Sequence, residues 1–452
     1  MLEFEQLRGI ILAALFEKET RKEKMLFKNI TILDENFKIR ENMYVGIRAD
    51  RIEYVSETEP KTDFVEVYDG KNRLMMPGFY NTHAHSPMCL MRGYGENMNL
   101  QDWLFKRIFP FEDKLTGNAV YWSTLLTMAE SLKFGIVSTS DMYYFLDDMV
   151  RAVAESGAKN NISRGITNPM GEPIDQLASI PEMIDAAKYN GYADGRIVID
   201  ASLHAEYTSN PETARKVAEL AKGLGLRMQV HVSETKSEHE ECKARRNGMT
   251  PVQYLAECGI LDVPATCAHC VWIEGDDYRI LKEKGATVAT NPVSNLKLAS
   301  GICDVNELIK NGINVGIGTD SVASNNNLSF FEEMKTMGLL AKVKHMDPTL
   351  ITPEQTLYMA TRGGALSQGR EDCGYIGEGA KADFILLRTD TPNMNPVHNM
   401  LNNIVLSATD ADIVMTAVDG KILYKDGEFT TIDIEKTVSE VDKAAKDILA
   451  RL

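Results

Sequence analysis

Positive charge is in short supply in this 452-residue sequence: 49 Lys and Arg stand against 65 Asp and Glu, a formal net charge of -16 at pH 7. A phosphate backbone would be repelled unless a basic stripe overrode that mean. None is present, because the densest basic runs, 18–24 and 243–246, are interleaved with or preceded by glutamates, the pattern of a solvated helix face. Nucleic acid is therefore not expected as a partner. No apolar run reaches the length needed to cross a bilayer. The stretch from Ile10 to Phe16 follows Glu3 and Glu5 and runs into charged residues without a small-residue cleavage site, so an amphipathic packing helix is expected there rather than a secretory leader or a membrane anchor. Cysteine is sparse and odd in number, seven in all, which fits a reducing cytoplasm better than a disulfide framework. Cys267 and Cys270 form a C-x-x-C, but it lies in an apolar strand-like run with no second pair, so no zinc-knuckle or redox role is assigned to it. Low-complexity segments, long linkers and short repeats are lacking. Histidine is scarce as well, with eight residues, and their placement along the chain is its most informative feature.

The chain is too long for an ordinary single core and 44% of it is hydrophobic, which points to one large domain with a smaller companion. Short alternating runs with an Asp69-Gly70 turn fill 25–77, and similar runs around Asp419-Gly420 and Asp426-Gly427 fill 376–430. Neither set has enough strands to bury its own face. The two chain ends are therefore expected to pair into one small composite β-sandwich. A helical N-terminal extension (1–24) and a C-terminal helix (431–452) complete the ends.

The middle, 78–375, alternates eight short apolar runs with helical stretches; the runs are 77–83, 136–141, 162–166, 197–204, 228–232, 265–269, 286–290 and 314–319. The helix expected over 211–224 has proline at its start and Gly225 after it, and the one from Pro251 to Cys258 is preceded by Thr250 and stopped by Gly259. Eight strands alternating with helices predict an α/β fold of the (β/α)8, TIM-barrel type. In such a barrel, chemistry sits at the C-terminal ends of the strands. Polar residues do collect there: His83 and His85, Asp141, Arg164, His204, His231, His269, Asn291 and Asp320. Five of the eight histidines occupy such ends, whereas His239, His345 and His398 do not.

In an extended segment side chains alternate faces, so His83 and His85 project to one side and can grip a cation together. With His231 and Asp320 they offer three imidazoles and a carboxylate, a set suited to one divalent metal, Zn²⁺ first and Fe²⁺ as the near alternative. The strand carrying His204 contains no lysine to bridge a second ion. Glu234, three residues after His231, is placed to shuttle protons at water activated by the ion, and His269 and Asp320 to orient that water or to hold developing charge.

These residues sit in segments that resemble the amidohydrolase superfamily: Pro77-Gly78 through His85, His231-Val232-Ser233-Glu234-Thr235, Ala268-His269-Cys270-Val271, Asn291 through Leu298, and Gly318 through Asn326. Within it, the sequence is similar to the 5-methylthioadenosine/S-adenosylhomocysteine deaminases and their chlorohydrolase relatives, from about Met25 to about Phe429. The resemblance implies hydrolytic deamination of an adenine ring, with Glu234 delivering a proton to the ring nitrogen beside the amino-bearing carbon and ammonia leaving. It further implies that Glu112 binds the ribose hydroxyls, that His204 and Ser324 face the substrate, and that Arg164 meets an anionic or ribosyl group. Trp103 would wall the nucleoside site or simply pack in its loop. Where the family has His-Ser-Pro-Tyr, this chain has His204-Ala205-Glu206-Tyr207, so Glu206 is expected to add negative charge near the pocket, and Cys270 and Trp272 to alter its shape. A guanine, pterin or s-triazine amidohydrolase is the runner-up; a non-catalytic scaffold of the same fold would require lost metal ligands, and none is lost. The small β domain and the C-terminal amphipathic helix suit a homo-oligomer.

Overall fold

The computed structural model describes residues 24–452, so the helical extension expected before them lies outside the described residues. Eight strands form the central sheet: β6 (Phe79–Ala84), β7 (Ile136–Tyr143), β8 (Lys159–Ile166), β9 (Ile197–Leu203), β10 (Met228–Val232), β11 (Ala265–His269), β12 (Thr287–Thr290) and β13 (Asn314–Ile317). They lie in chain order with every neighbouring pair parallel. Parallel strands covered on both faces lose the inward–outward alternation of exposure; all eight residues of β7 and all five of β10 and β11 are buried.

The last strand closes onto the first. Asp320 N donates to His83 O at 2.9 Å, and a parallel bridge joins Ala84 to Asp320. The approach needs glycine: a Cβ on Gly316 would meet Thr82 Cγ2 at 2.4 Å, and one on Gly318 would lie 2.9 Å from His83 Cβ. Closure thus places residue 320 beside residues 83 and 85, although well over two hundred positions separate them.

The chain ends build a second sheet of nine strands: β1 (Lys24–Leu33), β2 (Ile39–Arg48), β3 (Arg51–Ser56), β4 (Glu66–Asp69) and β5 (Arg73–Pro77) from the front, with β14 (Phe384–Arg388), β15 (Ile413–Val418), β16 (Lys421–Lys425) and β17 (Glu428–Phe429) from the rear. The halves join through antiparallel β5 and β14. One continuous sheet folds over a core of its own, in which Phe27 of β1 meets Phe384 of β14 edge to face at 5.3 Å. Ile52 N donates to Ala380 O and Ala382 N to Asp50 O, which draws the far edge back toward β14.

The two sheets are locked by a buried cluster below the barrel floor. Lys159, the first residue of β8, places its Nζ 2.5 Å from Asp383 Oδ2 and 2.8 Å from Asp419 Oδ1. Asp383 also accepts from Tyr80 Oη at 2.7 Å and from Asp419 N at 2.8 Å, so the buried charges are paired and hydrogen-bonded rather than stranded. The helices follow their terminal signals. Pro211–Leu224 is capped by Asn210 and ends at Gly225 with φ 66°, and Pro251–Glu257 carries a capping box between Thr250 and Gln253. The C-terminal helix runs over Ile434–Leu449, starting at the Asp433 cap, and buries Thr437, Val441 and Ile448. Among the described residues no helix is long and apolar enough to cross a membrane.

Candidate metal centre and substrate cavity

Strand ends bring the histidines together as barrel geometry predicts. The ligand-capable atoms of His83, His85 and His231 lie within 4.8 Å of one another, as do those of His83, His269 and Asp320. Asp320 Oδ1 is 3.5 Å from His83 Nε2 and 3.4 Å from His85 Nε2, and the Nε2 atoms of His85 and His231 are 3.3 Å apart. Two of the rings are aimed from behind: His85 Nδ1 meets Met142 O at 2.6 Å and His231 Nδ1 meets His204 O at 2.6 Å. A carbonyl accepts only from N–H, so both rings carry the proton on Nδ1 and present an unprotonated Nε2 to the centre.

Burial holds His83, His204 and His231 neutral. It pushes His83 down to about 4 and His204 to about 3, and drives His231 well below the usual range. Burial alone would raise Asp320, but the imidazoles packed around it, His83 first and then His269 and His85, hold it well below the ordinary carboxylate range. The strongest sign that the set fits a cation is His83 Nε2, a buried nitrogen with no hydrogen-bond partner that faces Asp320. An orphaned acceptor among neutral imidazoles and an ionised carboxylate is what a divalent metal site offers. Backbone strain gathers here too, with positive φ at Ser233 (47°), His269 (72°) and Asp320 (58°).

A second layer orients these groups. Ser294 Oγ at 2.5 Å and Ser324 Oγ at 3.0 Å both donate to Asp320 Oδ2, and Asn295 Oδ1 lies 2.8 Å from His269 Nδ1. Glu234 is buried: Ser300 Oγ donates to its Oε1 at 3.1 Å, and its Oε2 lies 3.8 Å from His269 Nε2. Burial raises its carboxyl above the usual range. The loop that carries Glu234 is clasped by Glu238, which accepts from Ser233 N at 3.0 Å and Glu234 N at 2.7 Å. Ser294, Asn295, Ser300 and Glu238 were not expected from the sequence. The first two lie inside the Asn291–Leu298 motif, Glu238 is the acidic residue three after the Thr235 helix cap, and Ser300 has no sequence signal.

The cavity above this cluster is lined by His85, His204, His231, Glu234, His269 and Asp320 on the metal side and by Trp103, Leu104, Phe109, Glu112, Tyr143 and Tyr207 on the other. Burial pushes Glu112 up to about 7, and Tyr144 Oη lies 3.5 Å from it. Thus Glu112, His204 and Trp103 reach the cavity. Ser324 spends its hydroxyl on Asp320, Ser294 and Ser321 instead of lining the wall. Arg164 lies farther out, 2.5 Å from Glu182 and over the Tyr144 ring at 4.6 Å.

Three expectations are corrected. Glu206 adds no charge to the cavity, because it is fully buried between Arg245 (2.6 Å) and Arg246 (2.9 Å), which neutralise it and tie its loop to the helix Lys236–Arg245. Cys270 is buried and borders no part of the cavity, since its backbone turns away after β11 with φ 45°. Trp272 is drawn outward by its indole N–H, which donates to Ser300 O at 2.7 Å.

Comparison with known proteins agrees with this geometry. Residues 74–423 match the amidohydrolase family. A 5-methylthioadenosine/S-adenosylhomocysteine deaminase of Dictyoglomus thermophilum is 38% identical over 429 residues, 95% of this chain and 100% of that protein. A 5′-deoxyadenosine deaminase of Methanothermobacter thermautotrophicus is 40% identical over 402 residues, 89% and 93% of the two chains. The crystal structure of an adenosine deaminase from Xanthomonas campestris with bound Zn superposes with a TM-score of 0.88 at 25% identity, covering 94% of this chain and 98% of that one.

Proposed function

Because this chain belongs to the amidohydrolase family, we propose that its barrel mouth holds one divalent ion and hydrolytically deaminates an adenine nucleoside such as 5-methylthioadenosine, S-adenosylhomocysteine, 5′-deoxyadenosine or adenosine. His83, His85, His231 and Asp320 would hold the ion, with Zn²⁺ suited to three imidazoles and a carboxylate and Fe²⁺ next. The ion, when bound, supplies the polarisation that brings the pKa of water to about 7.

The remaining work falls to the chain's own groups. Glu234 receives a proton from the attacking water and delivers it to the ring nitrogen adjacent to the amino-bearing carbon. That carbon becomes tetrahedral, the amino group takes up the proton remaining on the added oxygen and leaves as ammonia, and a carbonyl replaces it. His269, held at Nδ1 by Asn295, stands beside Glu234 and steadies the oxygen on which charge develops. Glu112 accepts from the ribose hydroxyls, while His204 and Trp103 border the nucleoside. Arg164 and Ser324 act from outside that wall, Arg164 at the far end and Ser324 through Asp320.

One observation carries the reading: Glu234 is a buried carboxylate that shares the cavity with the inward-facing imidazoles yet stands outside the ligand cluster, as a proton carrier must. The test is ammonia release over a panel of adenine nucleosides, free purine bases and s-triazines. Nucleosides are expected to turn over; rapid reaction of free bases or triazines with none of nucleosides would sink the proposal.

The chain is also read as a homo-oligomer of a reducing, cytoplasmic compartment. Exposed Leu339, Val343 and Met346 follow helical spacing along and just past Phe330–His345, and all seven cysteines are buried free thiols. A strictly monomeric mass by light scattering at micromolar concentration would remove the first of these readings.

A further inference from the structure

Behind the metal centre, on the helix Phe330–His345, lies Glu333, a side chain 1% exposed with no ion-pair partner among the described residues. A first-turn carboxylate gains from the helix dipole, but Glu332 has that gain at the exposed surface. Burial pushes Glu333 up to about 8, which marks its place as unfavourable unless its contacts matter. Both of its oxygens are used. Oε2 accepts from Val293 N at 3.1 Å, and Oε1 accepts from Asn325 Nδ2 at 2.6 Å. Each partner leads to Asp320. Val293 precedes Ser294, whose hydroxyl donates to Asp320 Oδ2 at 2.5 Å, and Asn325 follows Ser324, which donates to the same oxygen at 3.0 Å. Asn325 Nδ2 also donates to Thr319 O at 2.8 Å, on the peptide that leads into Asp320 and its left-handed φ of 58°. The helix that supplies Glu333 is itself fixed to the barrel. Phe79 of β6, the strand that carries His83, stacks on Phe330 at 5.0 Å and meets Phe331 edge to face at 5.4 Å.

We propose that Glu333 is a positioning residue for the metal centre: it pins the segments of Val293 and Asn325 against the barrel, so that two serines and a fixed backbone aim Asp320 at His83 and His85. This rests on the one-ion reading above and deepens it, since a group that belongs to neither the ligand cluster nor the cavity wall governs one of the ligands. Glutamate suits the task because a carboxyl accepts on both oxygens, charged or neutral, whereas an amide of the same size accepts on one and turns a donor toward the other N–H. Outer groups that orient a ligand are worth about 10–100-fold in metal affinity.

The test is the Zn²⁺ affinity of the metal-free full chain, by competition with a chelator, for Glu333→Gln in the parent and in a Ser294→Ala/Ser324→Ala background. In the parent, Glu333→Gln is expected to weaken Zn²⁺ binding by about tenfold or more. Where the serines no longer hold Asp320, the same substitution should cost about threefold or less, through Thr319 alone, because effects that run through a shared partner do not multiply. In the metal-loaded variant, kcat for an adenine nucleoside should fall about tenfold with KM within about twofold, since Glu333 borders no part of the cavity. Asn325→Ala, which leaves the bond to Val293 N, is measured alongside in case Glu333→Gln folds poorly. Zn²⁺ affinity within about twofold of the parent in either variant, or an equal loss in both backgrounds, would overturn the role of Glu333 and leave the deaminase reading standing. The expected affinity changes in a chain that releases no ammonia from nucleosides would support Glu333 and overturn the deaminase reading, and a parent that binds no divalent ion would overturn both.

Discussion

Glu234→Gln separates chemistry from assembly at this centre. The amide keeps the volume of the carboxylate and an oxygen to accept from Ser300 Oγ, now at 3.1 Å, and the Glu238 clasp on the backbone of Ser233 and Glu234 does not involve the altered side chain. None of the four residues proposed to hold the ion is touched, so bound divalent metal should stay at the parent's level and thermal stability near that of the parent. What is lost is the titrating oxygen beside His269. A positioned general acid–base contributes about 10²–10⁴ in rate, or about 3–5 kcal/mol of barrier. We therefore expect kcat for an adenine nucleoside to fall by at least that factor with KM changed only a few-fold, since Glu112, His204 and Trp103 still line the cavity. Single-turnover ammonia release, with metal content measured on the same sample, reads both halves of the prediction. A variant that retains its metal and keeps kcat within tenfold of the parent would refute the role given to Glu234.

Asp383→Ala should destabilise the fold by about 3–5 kcal/mol in chemical denaturation, because it strips Lys159 of its nearer carboxylate in a buried setting; a change under about 1 kcal/mol would show that the lock between the sheets is incidental. Glu112, raised by burial to about 7 from 4.5, predicts two pH effects that Glu112→Gln should abolish. The folded chain keeps a proton that the unfolded chain loses, so the group's stabilising contribution is full below about 4.5 and is lost as pH rises through about 7, by at most about 3 kcal/mol. Conversely, if the ionised carboxylate receives the ribose hydroxyls, kcat/KM for nucleosides should rise through the same window, and a flat parent profile would count against that contact.

The barrel was legible in the sequence because its signals are local. A strand covered on both faces is buried along its length, as β7 and β10 are, and the histidines collect where the strands end and the loops open, which is where His204, His231 and His269 lie. The His83–His85 spacing is equally local, since a two-residue period puts both rings on one side. The charge environment was not legible, because it depends on which distant segments meet. Glu206 follows His204 by two positions and looked like a pocket residue, yet Arg245 and Arg246, about forty positions on, pull it into a buried ion pair. Arg164 looked like a free anion partner until Glu182 occupied it. Sequence alone therefore determined which histidines gather at the strand ends and the strands that carry them, through periodicities a chain cannot hide. The tertiary structure alone decided which charges remain open to a substrate, because neutralisation is a property of pairs, and pairs are made only when the ring closes.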